Sequence, residues 1–285
     1  MLEVYEDLQK SIYYSHTVRN ELPKVDFHQH QELFEIYFFL TGHVHYFIEK
    51  QVYPLQYGDL LVMNSNELHK PNFQSNQRYE VIVIHFNPAV VAELSSPDFD
   101  LLGCFTNRPL GEQNHMRFSD QRLQELLHLF DRLEKLSMPR TAAGSDILYL
   151  TAFLELLVFL GRAFNSEQHG QSDEPSAIPG KLRDLLHYID NYLDQDLSLD
   201  KLEHTFFMNR SYLCRLFKKH TGSTIHEHIL FKRIAKAKML LKAGSNVTDA
   251  CQLAGFNDYS NFIRSFKKTV GLPPKQYQAL TRMEK

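Results

Sequence analysis

The sequence contains one short pattern twice: YLCRLFKK at residues 212–219 and NFIRSFKK at residues 261–268. Both copies hold an arginine, one further residue and then Phe-Lys-Lys, and a glycine (Gly222 or Gly271) follows each at the same distance. Apolar residues recur in both at helical spacing, which predicts a helix with one apolar face. The opposite face carries Arg215 and Lys218 in the first copy and Arg264 and Lys267 in the second. Two such helices indicate two similar binding surfaces for a polyanion.

A short amphipathic segment and a tight turn precede each copy. Residues 199–206 form the first segment, with Ser198 as the predicted N-cap, and residues 207–209 form its turn. Before the second copy, the amphipathic segment is residues 247–254 and the turn is residues 255–258. A helix, a tight turn and a cationic helix together predict a helix-turn-helix unit, so the sequence predicts two of them.

This region resembles the AraC/XylS family of transcription regulators over about residues 180–281. The matching positions are GFNDYSNF at residues 255–262, the FKK at 266–268, Gly271 and Pro274. The resemblance implies a DNA-binding domain with two helix-turn-helix units. The sequence departs from the family at Ala250-Cys251, where Ile-Ala is usual, and at Gln278, where arginine is common.

Only the helix face opposite the core can enter a DNA groove, so the outward residues of both helices are predicted to contact DNA. We expect Arg215 and Arg264 to read guanine edges and the lysines to meet phosphates, although each lysine could instead be a solvated helix end. The resemblance implies base reading from these same positions. The full predicted set is Arg210, Ser211, Cys214, Arg215, Lys218, Lys219, Tyr259, Ser260, Asn261, Arg264, Lys267 and Lys268.

Charge is unevenly placed along the 285 residues. Residues 179–285 hold 18 Lys+Arg and 10 Asp+Glu, a net charge of +8, whereas residues 1–178 carry −11. The imbalance indicates that only the C-terminal half meets nucleic acid. Three widely spaced cysteines argue for a reducing compartment. With an acidic rather than basic start and no apolar run long enough to span a bilayer, we expect a cytoplasmic protein without membrane contact.

The N-terminal half has the period-two pattern of β-strands from Val25 onwards. Short aromatic and β-branched segments are separated by turn signals, which favours a β-sandwich or a small barrel. The predicted strands are Glu32–Leu40, His43–Glu49, Leu60–Met63 and Tyr79–Phe86.

A second resemblance rests on polar residues of this half. His28-Gln29-His30, Glu35 and Gly42 are followed by Gly58 and by Asn66-Glu67-Leu68-His69. The pattern resembles the cupin double motif, with Asn64 and Asn66 in place of its usual Pro and Gly. The resemblance implies a β-barrel that can hold a divalent metal on His28, His30, Glu35 and His69. Three imidazoles and a carboxylate suit Zn, Fe, Ni or Mn.

Two other interpretations of these residues stay open. Together with Tyr37, the same four side chains could line a polar effector pocket. They could also form a purely structural hydrogen-bond network. His85, at the end of a buried-looking strand, is predicted to be structural.

Two helices are predicted at residues 119–137 and 145–164. The second is apolar on more than one face, so it should be covered twice. We expect one cover from the barrel or the first helix and the other from a second subunit, with Leu154 and Leu157 at the interface. The alternative is burial within one monomer. A polar stretch then predicts an interdomain linker at residues 166–178.

The sequence therefore predicts an α+β protein with two domains. Residues 1–165 form a cupin-like β-barrel with two helices that senses an effector and dimerises, and residues 179–285 form an all-α double helix-turn-helix domain. The predicted function is a transcription regulator that binds double-stranded DNA, responds to a small molecule such as a sugar, and works with RNA polymerase as a homodimer. The alternatives are a metal-dependent cupin enzyme with an accessory helical domain, and a DNA-binding protein whose barrel is only a dimerisation scaffold. The two matched cationic helices are evidence against the enzyme alternative, because an enzyme does not need a matched pair of helices that read DNA grooves.

Overall fold

The computed structural model describes residues 11–23, 25–30, 32–137, 143–167 and 178–283. The chain forms two compact units, Met1–Lys24 with Gln29–Ala177 and Val25–His28 with Ile178–Lys285. Four residues from the early chain thus group with the C-terminal half. The predicted linker lies almost wholly outside the described residues.

Antiparallel strands build the first unit. Its described strands are β1 (Ile12–Arg19), β2 (Phe34–Thr41), β3 (Val44–Ile48), β4 (Gln51–Pro54), β5 (Leu60–Met63), β6 (His69–Phe73), β7 (Tyr79–Phe86) and β8 (His115–Met116). They form a five-stranded sheet in the order β1-β7-β2-β5-β8 and a three-stranded sheet in the order β4-β3-β6. The described strands form two sheets that do not close into a barrel, because each sheet ends in strands that have a partner on one side only. Of the two predicted architectures, the β-sandwich therefore matches the described residues.

Strand β2 is the centre of the first unit. Its alternate residues Phe34, Ile36 and Phe38 join a core with the helices, whereas Tyr37 and Phe39 join a second core that both sheets share. Burial on both faces explains why β2 reads as an almost unbroken apolar run. Glu35, on the same face as Tyr37, is the exception.

Four helices complete the described part of the first unit: α1 (Ala89–Ala92), α2 (Gly103–Thr106), α3 (Asp120–Ser137) and α4 (Ser145–Glu167). By length and composition α4 could cross a membrane. However, Phe153, Leu156, Leu157 and Leu160 are fully buried in the same core as the sheet. We therefore interpret α4 as a core helix.

The placement of Leu157 at a subunit interface is wrong. The protein's own sheet and helix α3 cover most of α4, as the monomer alternative supposed. Leu154 is only partly buried, and Ile147 and Leu148 are 54% and 52% exposed. A narrower apolar strip than the one predicted thus remains at the surface of α4.

The second unit is helical. Its described helices are α5 (Gly180–Asn191), α6 (Leu199–Phe206), α7 (Arg210–Thr221), α8 (Ile225–Lys242), α9 (Val247–Leu253), α10 (Tyr259–Val270) and α11 (Pro274–Met283). Five consecutive helices, α6 to α10, begin at a side-chain cap. The caps are Ser198, Asn209, Thr224, Asn246 and Asp258, of which Thr224 forms a full capping box with Glu227.

Candidate functional site

The two cationic helices α7 and α10 are built alike. Leu213 and Phe217 are buried on α7, and Phe262 and Phe266 are buried on α10. Each helix ends at a left-handed glycine, Gly222 or Gly271, whose positive φ favours a residue without a side chain. The repeat in the sequence is therefore a repeat in the fold.

Most of the predicted DNA-contacting residues are exposed. On α7 these are Arg210, Ser211, Arg215, Lys218 and Lys219, while Cys214 is half-buried. On α10 they are Tyr259, Ser260, Asn261, Arg264, Lys267 and Lys268. Both helices thus present a polar, mainly cationic face away from the core.

Arg210 differs from the other cations on these faces. Its guanidinium lies 3.0 Å from Asp200 Oδ1 and 3.6 Å from Glu203 Oε2, both on α6. Within the described residues, no carboxylate forms an ion pair with Arg215 or Arg264. These two arginines keep their full hydrogen-bonding fork available, which is what bidentate recognition needs.

The two turns are not identical. In the first, Phe207 takes the left-handed conformation at φ 51° and is 95% exposed. In the second, Gly255 takes that conformation at φ 91°, and one extra residue separates it from the next N-cap. A side chain on Gly255 would place its Cβ 2.3 Å from the carbonyl oxygen of Leu193. Glycine is therefore required in the second turn.

Arg233 on α8 binds the same backbone segment that Gly255 approaches. Its Nε donates to the Leu193 carbonyl at 3.0 Å, and its Nη2 donates to the Gln195 carbonyl at 2.8 Å. The segment after α5 is thus tied both to α8 and to the turn of the second helix-turn-helix pair. These contacts fix the two pairs relative to each other.

A separate polar cluster lies in the first unit, around the carboxylate of Glu35. Glu35 Oε2 lies 2.5 Å from His30 Nε2, 3.1 Å from His85 Nε2 and 3.3 Å from His69 Nε2. Glu35 and His69 are buried, whereas His30 and His85 are about a quarter exposed. The ligand atoms of the four predicted residues, His28, His30, Glu35 and His69, all lie within 4.8 Å of one another, and His85 joins them.

His85 is the member of this cluster that the sequence analysis missed. It lies directly opposite Glu35 in the register of strands β2 and β7. His28 Nδ1 is also 2.9 Å from the carbonyl oxygen of Asp26.

Backbone contacts hold His69 in place. Its Nδ1 lies 2.7 Å from the Glu67 carbonyl oxygen. The Glu67 carboxylate accepts from both terminal nitrogens of Arg108 and from the Gly111 backbone N–H. Glu49 accepts from the Leu68 N–H at 2.6 Å. Buried hydrogen bonds thus fix the loop before β6.

The surroundings of the cluster favour the charged forms of Glu35 and His69. Burial alone would raise the pKa of Glu35, but the charge of His69 and hydrogen bonds from the three imidazoles hold that pKa well below its usual range. For His69, burial alone would lower the pKa, but the attraction of Glu35 outweighs it and raises the pKa.

Tyrosines surround the inner side of the cluster. The hydroxyl of Tyr46 donates to Glu35 Oε1 at 3.4 Å, and the hydroxyls of Tyr37 and Tyr79 are 2.7 Å apart. Tyr37 is only 3% exposed and packs on Tyr46 with ring centroids 4.5 Å apart. Tyr37, predicted as a pocket residue, is therefore part of the packed core between the sheets.

Comparison with known families covers both units. The model of the AraC-like ligand binding domain matches residues 14–157, about half of the chain. The model of a helix-turn-helix domain matches residues 202–279. The chain belongs to the AraC-like family. It thus combines an AraC-like ligand binding domain with a helix-turn-helix domain.

Individual relatives agree with this assignment. An uncharacterised HTH-type transcriptional regulator of Staphylococcus aureus is 25% identical over 247 residues, which are 85% of this chain and 31% of that protein. The regulatory protein PocR of Salmonella typhimurium is 26% identical over 161 residues, 54% of this chain and 53% of its own. The chain thus spans from about a third to about half of the length of these two curated relatives.

One of the similar solved structures is ToxT of Vibrio cholerae, at 14% identity and a TM-score of 0.38, covering 95% of this chain and 98% of ToxT. The AraC-like relatives are named as regulators. None of these comparisons supports the enzyme alternative.

Proposed function

We propose that this AraC-like regulator reads operator DNA with helices α7 and α10, under the control of a small molecule bound in the first unit. The observation that carries the proposal is the matched pair of capped helices, each with an outward arginine that no described carboxylate neutralises. The net charge of +8 over residues 179–285 supports attraction to DNA.

Each outward residue has a distinct proposed role. The forks of Arg215 and Arg264 read guanine edges in the major groove, one for each half of the site. Lys218, Lys267 and Lys268 meet phosphates and contribute affinity without sequence preference. Because Arg210 is held by Asp200 and Glu203, it positions the start of α7 more than it reads bases.

A selection experiment on randomised DNA tests the base-reading role. Two reading helices on one rigid unit should contact major grooves about one turn, or ~10 bp, apart. Arg215→Ala should lose ~1–3 kcal/mol of binding energy and relax the preference in one half of the site. Arg264→Ala should do the same in the other half. Lys218→Ala should weaken all sequences alike and reduce the salt dependence.

A matched control is Arg183→Ala, which removes an exposed arginine from α5, outside both helix-turn-helix pairs. It should leave the selected sequence unchanged. If Arg215→Ala and Arg264→Ala only lowered affinity, with the selected sequence intact, these residues would not be the base readers.

The proposed effector site is the cluster around Glu35. It offers a buried carboxylate and three imidazoles, two of which are partly open to solvent. Such groups suit a small polar molecule, for example a sugar or a related metabolite. Thermal-shift screening of the full chain would separate this proposal from a ligand-independent scaffold.

The remaining partners follow from the same proposal. A regulator of this kind acts in the cytoplasm, binds double-stranded operator or promoter DNA and meets RNA polymerase there. The partly exposed apolar strip of α4 supports a homodimer, since paired subunits would cover it.

A further inference from the structure

Phe207, in the turn between α6 and α7, is the most exposed large apolar side chain of the described residues. It is 95% exposed, whereas the next in order, Met239, is 64% exposed. Folding is favoured by burial of apolar surface, so a phenylalanine left in water contributes almost nothing to stability. Its two neighbours differ, because Met208 is buried and the ring of Phe206 packs against that of Tyr188, with 5.4 Å between the centroids.

The backbone of Phe207 is also unfavourable for a large side chain. At φ 51° and ψ 39° it lies in the left-handed region, which residues with a Cβ disfavour. The left-handed residue of the second turn is Gly255, at φ 91°. A glycine at position 207 would remove the strain, yet the chain has an aromatic residue there. Because exposure and strain both oppose folding, the side chain points to a role in binding.

Hydrogen bonds to Glu203 hold this turn in place. The Glu203 carbonyl oxygen accepts from the backbone N–H groups of Phe207 and Met208. The Glu203 carboxylate accepts from the backbone N–H of Arg210 at 3.2 Å. The ring of Phe207 therefore projects from a backbone that is fixed before any partner binds, which lowers the entropy cost of binding.

Position and charge favour DNA as the partner. Phe207 lies two residues before Asn209, the N-cap of α7, and the first residues of a helix that reads DNA contact base edges. No aspartate or glutamate occurs from residue 204 to residue 226, whereas four arginines and lysines do. An apolar ring beside such a cationic helix suits the 5-methyl group of thymine, which faces the major groove.

We propose that Phe207 contacts the methyl group of a thymine in the half of the site that α7 reads, and so determines sequence specificity there. This inference rests on the proposed function, because it takes α7 as a helix that reads DNA. The second turn has Gly255 instead, which has no side chain to make such a contact. The two halves of the site therefore differ, and this thymine preference belongs to the first half alone.

Replacing thymine by uracil tests the contact, because the exchange removes only a methyl group from the DNA. The full chain is titrated with the site that the wild type selects, and uracil replaces each thymine in turn in the half whose preference Arg215→Ala relaxes. The wild type should lose ~4-fold in affinity at one position, the equivalent of one buried methyl group. Phe207→Asn should bind the thymine and uracil sites equally, whereas Phe207→Tyr keeps the ring and should retain the difference.

Thermal stability separates a role in binding from a role in folding. Asparagine tolerates the left-handed conformation, so Phe207→Asn should unfold at or above the temperature of the wild type while it loses the thymine preference. Met239→Gln is the matched control. It removes the other highly exposed apolar side chain, on α8 and outside both helix-turn-helix pairs, and should keep the preference.

Three results would overturn the proposal. The first is a wild type that binds thymine and uracil sites equally, and the second is a Phe207→Asn variant that still distinguishes them. The third is unchanged DNA binding of Phe207→Asn with reduced transcription by RNA polymerase in vitro, which would assign the side chain to a protein partner. The proposed function is tested separately, since Arg215→Ala and Arg264→Ala probe it without any change at Phe207.

Discussion

At the scale of single residues, His228 is the most unusual titratable group of the second unit. Its ring is fully buried on α8 and lies 5.4 Å from the ring of Phe217, centroid to centroid. Burial, helped by the nearby charge of Lys232, lowers the pKa of His228 to about 3. The folded protein thus keeps this imidazole neutral at pH values where an unfolded histidine is charged.

This shift predicts acid sensitivity of the second unit. Between about pH 6.5 and pH 3 the unfolded chain binds one proton more than the folded chain at this site, so the free energy of unfolding falls as the pH falls. The slope reaches ~1.4 kcal/mol per pH unit for one proton. Hydrogen exchange of peptides from α8, measured at pH 7.5 and pH 5.5, should show the loss of protection.

His228→Leu should flatten this dependence, because the titrating group is gone. His226→Leu, which removes an exposed histidine from the same helix, should retain it. Equal pH dependence in His228→Leu and the wild type would show that other groups dominate.

The histidine cluster shows how far sequence reasoning reaches at this scale. His28, His30, Glu35 and His69 could be predicted together, because short motifs with characteristic spacing hold them. His85 could not, because only the register of β2 against β7 places it opposite Glu35. Nothing in the local sequence fixes that register across so many intervening residues.

At the scale of elements, the turn at Gly255 holds the two helix-turn-helix pairs together. Gly255→Ala should cost at least ~2 kcal/mol of stability, because the new Cβ meets the Leu193 carbonyl and the backbone has positive φ. Gly244→Ala is a matched control, since Gly244 also has positive φ but has nothing within 4 Å of the added Cβ.

Urea denaturation followed by circular dichroism measures both variants. The difference between them isolates the close approach from the backbone strain. Equal losses in Gly255→Ala and Gly244→Ala would mean that the contact with Leu193 contributes little.

Helices α6 and α9 could be predicted to within one residue because their boundaries are local. Ser198, for example, caps α6 as predicted. Strands β1 and β6 were not predicted because their local sequences do not mark them as strands. β1 is polar along most of its length, and β6 contains Pro71, which is tolerated because β6 is the edge strand of its sheet.

At the scale of the whole molecule, the exposed strip of α4 predicts self-association. Leu148→Glu should shift the protein towards monomers, because a charge would enter an apolar interface. Leu157→Glu should instead unfold the first unit, since that side chain is fully buried. Sedimentation velocity across a concentration series measures the association.

Leu94→Glu is the control, because Leu94 is similarly exposed at 51% but lies outside α4. It should leave the sedimentation coefficient unchanged. Unchanged association in Leu148→Glu would place any subunit interface elsewhere.

The long-range pairing of β1 has a consequence for biosynthesis. β1 leaves the ribosome before every other described strand, yet its partner is β7, with Ile12 opposite Phe86, and the Tyr149 hydroxyl later donates to the Ile12 carbonyl. At ~5–20 residues per second, strand β1 must wait seconds for that partner to be synthesised. The helices of the second unit form from local contacts and need no such wait. The sheet of the first unit therefore stays incompletely paired for longer during synthesis than the locally formed helices of the second unit.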